Sequence, residues 1–300
     1  MAAYRTISEY FCGIFGKKMQ KIPVNAGLGC PNRDGTLGTG GCIYCNNASF
    51  SPRYSYGSDG SITKQIDEGI AFFKSKNPDA GFLAYFQSYS NTYATVETLE
   101  RLYDEALGHS GIDGLVIATR PDCLGEDILD MLDRRFGSKA PAGHPYLLVE
   151  LGIESTSDAT LERINRHHSF ECAERAISEL DRRDIAVGAH IILGLPGETQ
   201  KDWTDHAEKL SRLPISTLKL HQLQVIKGTP LASMYERDAS LLTIKDPGTY
   251  AGAVVDFIGH LRKDIALDRF TSEAPPGMVI APAWGLKPSV IQKMIDEALG

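Results

Sequence analysis

Apolar residues recur along this chain in two rhythms that take turns. Runs at 81–87, 114–119, 146–153, 185–195 and 217–225 are short, apolar and bounded by polar turns, which predicts strands. Leu147-Leu148-Val149 and Ile191-Ile192-Leu193 suit strands covered on both faces, as in a parallel sheet. Between them, segments 61–76, 95–107, 125–135, 170–183 and 201–213 read as helices. The first of these carries Ile62, Ile66, Ile70 and Phe73 at helical spacing, with Ser61 placed as its N-cap. A strand at 21–26 precedes the series, and the aromatic and basic stretch 1–20 predicts a helix leading into the core. The order is βα repeated about six times, which right-handed crossovers turn into a parallel barrel or an open doubly wound sheet. Periodicity alone leaves both open. Further on, the pattern predicts a helix at 247–263, an extended piece at 269–272 and a proline-rich turn at 275–277. A last helix at 288–299 has Pro288 in its first turn. The chain thus divides into a core at 1–226 and an extension at 227–300 packed on it.

With 42% hydrophobic residues in 300, the chain can bury one large α/β core. No apolar run approaches the roughly 20 residues of a membrane-spanning helix, so a soluble, cytoplasmic protein with no membrane partner is expected. The formal charge of −7 argues against a general nucleic-acid-binding field. A local basic region is present in Arg5, Lys17, Lys18, Lys21, Arg33 and Arg53. Six cysteines are too few for a disulfide scaffold in a chain of this length, and nothing at the N-terminus resembles a signal peptide.

Three of those cysteines change the picture. Cys30, Cys42 and Cys45 stand as C-x11-C-x2-C around a glycine-rich loop. The close pair puts two thiolates on one side of a tight turn, and the glycines let a third fold back onto the same centre. Three thiolates without an obvious fourth ligand leave a coordination position open, as an iron–sulfur cluster enzyme would. A structural zinc site completed by Cys12 or a histidine is the other reading, and free thiols a third.

The stretch from Lys21 to Gly35, followed by Gly40-Gly41-Cys42-Ile43-Tyr44-Cys45, resembles the opening of the radical S-adenosylmethionine (SAM) enzymes. More narrowly it is similar to the YhcC/YtqA-type group, relatives of the Elongator catalytic subunit. The resemblance runs over nearly the whole chain. It implies a partial (βα)6 radical SAM barrel with a short C-terminal extension, and three cysteines holding a 4Fe–4S cluster. SAM would be cleaved reductively to a 5′-deoxyadenosyl radical that abstracts hydrogen. The electron would come from a reductant protein such as flavodoxin or ferredoxin. tRNA is the first substrate it suggests, with a protein or small metabolite as alternatives. The rival to an enzyme is a zinc-stabilised binding module without turnover.

Ligands of parallel α/β proteins sit at the carboxyl ends of strands. The resemblance therefore assigns SAM contacts to residues after each strand. Gln87 and Ser88 would meet the methionyl amine, Glu154 the ribose, and Arg166 the carboxylate. Gly194 and Gly197, in a Gly-Leu-Pro-Gly-Glu turn with Glu198, would let backbone approach the adenine. Arg120 and Asp122 read as an ion pair at the barrel rim or as groups facing substrate. His190, Lys219, His221 and Gln224 are candidates for the substrate pocket, and no catalytic residue is assigned.

Overall fold

Alternation inside the strands decides which way each side chain faces, and it builds this protein in layers. The computed structural model describes residues 3–49, 60–272, 274–275 and 277–300; Arg53 of the basic region and Pro276 of the proline-rich turn lie outside them. Seven strands form one parallel sheet in the order β1-β2-β3-β4-β5-β6-β8. They are β1 (Met19–Val24), β2 (Gly81–Phe86), β3 (Gly114–Thr119), β4 (Tyr146–Glu154), β5 (Ala186–Leu193), β6 (Thr217–Gln222) and β8 (Ala266–Leu267). The two-residue strand β7 (Val225–Ile226) and the three-residue strand β9 (Val279–Ala281) pair antiparallel in a separate ribbon.

The outer face of the sheet packs on α2 (Ile62–Lys74), α3 (Val96–Leu107), α4 (Glu126–Phe136), α6 (Phe170–Asp181) and α7 (Gln200–Ser211). Phe86, Ile117, Val149, Ile191 and Leu220 belong to this main core, all with essentially no exposure. The inner face carries the other parity: Leu83, Val116 and Leu148 form a second, smaller core. α1 (Ile7–Phe15) closes the amino end of the strands. Thr6 and Glu9 form its capping box and Gly16 ends it in the left-handed region at φ 66°. Its Phe11 and Phe15 rings meet Tyr146 edge-on at 6.1 and 5.2 Å.

The choice between a curled and an open sheet is made by residues on its two edges. Lys21 of β1 reaches Asp268, the residue after β8, at 2.7 Å, and also reaches Glu150 in the middle of β4. Edge strands of an open sheet stand several strand spacings apart, so this sheet is rolled into a partial barrel with its edges facing across the interior.

Helices and strands fall where the pattern puts them, and the differences are local. α5 (Asp158–Arg163) and α8 (Pro230–Arg237) are additional short helices. The extended piece expected at 269–272 is displaced: the strand is β8, just before it. β8 adds a seventh strand to the expected six and comes from beyond residue 226, as do α9 (Pro247–His260) and α10 (Pro288–Leu299). Among the described residues, no helix is long and apolar enough to cross a membrane.

Candidate active site

Above the apolar inner layer the barrel turns polar. Glu150 of β4 is 2% exposed and lies at the centre of a charged cluster. Its Oε2 accepts from the Tyr85 hydroxyl at 2.7 Å, from Lys219 Nζ at 2.8 Å and from His190 Nε2 at 2.8 Å. Lys219 also lies 3.4 Å from Asp268. Burial opposes the Glu150 charge, but Lys21 and Lys219 beside it hold its carboxyl well below the usual range. Asp268 is held at about 2 against burial by the same two lysines. Burial, reinforced by the Lys219 charge, pushes His190 down to about 4, so its imidazole is neutral.

This cluster floors a cavity of about 200 Å³ at the carboxyl ends of the strands. Cys30, Cys42 and Cys45 line it together. Their loop is folded by its own backbone: Arg33 N donates to Cys30 O at 2.9 Å and Cys45 N to Cys42 O at 3.0 Å. Gly40 and Gly41 both take φ of 82°, the left-handed conformation that turns the chain between the first thiol and the close pair. Asn165, two residues past the helix at Asp158–Arg163, ties the loop to that segment by donating to Gly41 O at 2.8 Å. Burial and then the neighbouring Cys42 push the Cys45 thiol up to about 12. Cys12, Cys123 and Cys172 are free and lie outside the cavity lining. Among the described residues no three His, Cys, Asp or Glu side chains converge on a single metal ion.

Beside the thiols stand two arginines. Arg166 donates to Cys42 Sγ at 3.5 Å, to His168 Nε2 at 3.0 Å and to the Gly152 carbonyl. Glu154 lies 3.7 Å from it, in the left-handed region at φ 69°. Burial raises the Glu154 carboxyl although Arg166 and Arg120 oppose the rise. His168 is pushed down to about 3 by burial and by Arg166, which leaves its nitrogen free to accept. Arg120 pairs with Asp122 at 2.8 and 2.7 Å and donates to Arg166 O at 2.8 Å. Its remaining nitrogen, Nη1, is buried without a partner.

The expected SAM residues separate into two groups. Gln87, Glu154 and Arg166 line the cavity. Ser88 is buried in the turn beside it, and that turn is internal rather than a surface loop: Asn91 Nδ2 donates to Phe86 O at 3.0 Å and to Ala118 O at 2.8 Å. Gly194, Gly197 and Glu198 lie outside the lining. Glu198 turns away from the cavity, because its Oε1 accepts from Ser155 Oγ at 2.6 Å and lies 3.1 Å from His206 Nε2. At Gly197 a Cβ would meet the Arg163 guanidinium, whose Nη1 donates to Pro196 O at 2.7 Å. Of the pocket candidates, His190, Lys219, His221 and Gln224 all line the cavity.

Some residues of the site were not anticipated. Gly152 is one: a Cβ there would meet Arg166 Nη2 at 2.7 Å and Glu154 Oε1 at 2.8 Å. The ladder between β4 and β5 shifts register at Gly152 and Glu154. A glycine inside an otherwise apolar strand was the available signal, since it marks a bulge or a close approach. Asn32, which donates to Cys42 Sγ at 3.5 Å, and Arg269 of the cavity wall had none.

Comparison with known proteins agrees with this geometry. The Radical SAM superfamily model matches residues 24–210, and the Radical_SAM C-terminal domain model residues 215–299. The chain is 34% identical to protein YhcC of Escherichia coli (strain K12) over 270 residues, 90% of this chain and 84% of that protein. It is 32% identical to YtqA of Bacillus subtilis (strain 168) over 296 residues, 99% of this chain and 89% of that one. The structure of the archaeal Methanocaldococcus infernus Elp3 superposes with a TM-score of 0.68 at 15% identity, over 93% of this chain and 63% of that one. The chain therefore belongs to the radical SAM enzyme superfamily, whose members use a 4Fe–4S cluster and SAM.

Proposed function

We propose that Cys30, Cys42 and Cys45 hold a 4Fe–4S cluster and that SAM binds beside it, for hydrogen abstraction from a substrate in the same cavity. The observation that carries this reading is the meeting of three thiols and two arginines in one cavity, with a buried donor, Arg120 Nη1, left unpaired. A carboxylate is the partner such a donor lacks, and arginine binds carboxylates with planar, charge-assisted hydrogen bonds. Three ligands for four irons, with no further cysteine in the lining, leave one iron for the cofactor. When bound, cluster and SAM supply one-electron cleavage of the sulfonium and the carbon radical that takes the hydrogen.

The chain's own residues bind and orient. Arg166, fixed by the Gly152 carbonyl and His168, presents its charge to the SAM carboxylate together with Arg120. Glu154 accepts hydrogen bonds from the ribose hydroxyls. Gln87 and Ser88 border the methionyl end, while the turn through Gly194 and Gly197, outside the cavity lining and packed on Ile244 and Arg163, makes no contact with the adenine. Glu198 positions that turn through Ser155 and His206 and makes no direct contact. A tRNA nucleotide is the first substrate to test, with a protein or small metabolite after it; deuterium passing from labelled pools into 5′-deoxyadenosine identifies which.

Anaerobic reconstitution with iron and sulfide tests the reading. Adding SAM to the reduced protein should change the cluster's EPR signal, and Cys42→Ala should abolish both cluster and response while circular dichroism stays native. One tightly bound zinc, no cluster absorption and indifference to SAM would instead establish the zinc-stabilised binding module.

A further inference from the structure

Cations that face the cavity outnumber acids. Among the described residues, Arg33, Arg120, Arg166, Lys219 and Arg269 line it against one carboxylate, Glu154. The imbalance is local, in a chain whose formal charge is −7. Three of these cations are already answered: Arg120 by Asp122, Arg166 by Glu154, and Lys219 by Glu150 and Asp268. Arg33 lies on the cysteine loop, where Nη1 donates to Gly40 O at 3.3 Å.

Arg269 stands apart from all of these. No acid among the described residues pairs with its guanidinium, and it is exposed on the β6–β8 side of the cavity. Its backbone is nevertheless fixed. Leu220 N of β6 donates to Arg269 O at 3.1 Å. Beyond it, Gln222 and Ser272 exchange two hydrogen bonds of 3.2 Å each. The guanidinium is therefore carried by a rigid continuation of the sheet. His221 shares that wall, and burial, then the Arg269 charge, push its imidazole down to about 3. It offers one N–H and one lone pair rather than a second charge. The family's cofactors do not redress the balance, because a thiolate-ligated cluster is anionic and a sulfonium cofactor cationic, so the two offset each other.

We infer that the substrate carries an anionic group, a carboxylate or a phosphate, and that Arg269 binds it with His221 alongside. The inference rests on the cavity being the reaction chamber proposed above. A guanidinium accepts either anion in a bidentate fork. The group has two sources, a free organic acid or phosphate ester, or a phosphate or acidic substituent on a nucleotide within RNA.

The test uses reconstituted protein with SAM, titrated with inorganic phosphate and separately with acetate at ionic strength held constant with chloride. A ligand that binds only the folded state raises the unfolding midpoint. The wild type should show a saturable rise with at least one anion. Arg269→Gln should need about tenfold more anion or higher for the same rise, and Arg269→Lys should recover part of it. Lys263→Gln, an exposed charge outside the cavity, should match the wild type. With reductant present, addition of cellular RNA or of an RNA-free metabolite pool shows which source stimulates 5′-deoxyadenosine release. A wild-type midpoint indifferent to both anions, or an Arg269→Gln response equal to wild type, overturns the inference. The EPR response to SAM, recorded on the same samples, separates the two failures: if it persists the cofactor reading stands, and if it is absent that reading fails instead.

Discussion

Gly152 shows how a site of this kind depends on a missing atom. The Arg166–Glu154 pair occupies the space where a side chain at 152 would begin, with both partners under 3 Å from an added Cβ. Gly152→Ala must push the guanidinium off the Gly152 carbonyl or the carboxylate off its strand end. We expect SAM affinity to fall about tenfold or more by equilibrium dialysis, with far-ultraviolet circular dichroism unchanged. A second expectation at this scale concerns the other thiols. Replacing Cys12, Cys123 and Cys172 together by alanine should leave iron content of the reconstituted protein near that of wild type. Loss of the cluster in that variant would point to a fourth cysteine ligand and sink the three-thiolate assignment.

At the scale of elements, five strands and one strand extension each contribute a single polar group to one interior layer. Lys21 comes from β1, Tyr85 from β2, Glu150 from β4, His190 from β5, Lys219 from β6 and Asp268 from beyond β8. Glu150 is the group they share. Removing its charge leaves Lys21 and Lys219 facing each other in a buried layer with Asp268 alone between them. Breaking a buried ion pair from one side costs about 3–5 kcal/mol, so Glu150→Gln should lower stability to urea by roughly that amount. Tyr85→Phe deletes one hydroxyl and leaves the charges matched, and should cost about 1 kcal/mol. Equal losses in the two variants would mean that the layer is held by shape rather than by charge.

For the whole molecule the same burial sets a dependence on pH. His168, His190 and His221 are held neutral, with values pushed down to about 3, 4 and 3. In the unfolded chain each titrates near 6.5. Between about pH 4 and 6.5 the unfolded state therefore binds more protons than the folded one, and stability rises with pH through that window. Going from pH 7 to 5 should weaken the protein by an amount on the order of 2 kcal/mol for each histidine involved. Glu150 and Asp268 act lower down: their folded values are depressed, so the stability they confer is lost only as pH falls below the ordinary carboxylate range. Urea unfolding at pH 5 and 7 checks this, and His190→Gln should shrink the difference between the two pH values. A stability that is flat over that interval would show that these imidazoles are solvated.

What could be read in the sequence was what is local. The order of strands and helices followed from periodicity within single segments, and Ser61 caps α2 as expected because a cap acts within its own turn. The C-x11-C-x2-C loop was legible for the same reason: its thiols are brought together by glycines a few residues away. Strand β8 was not, since two residues carry no period and owe their conformation to pairing with Thr217 and Leu218. Glu198 lay in a turn that looked like a ligand contact, and only the buried Ser155 and His206 decided where its carboxylate goes. The curl of the sheet was likewise undetermined by pattern, because a strand covered on both faces is apolar whether the sheet is open or rolled. Lys21 and Asp268, 247 positions apart, close it. Pairing across such a separation leaves no trace in the neighbouring residues: the family resemblance implied the barrel, but its charged interior layer and the exposed Arg269 at its rim belong to the tertiary structure alone.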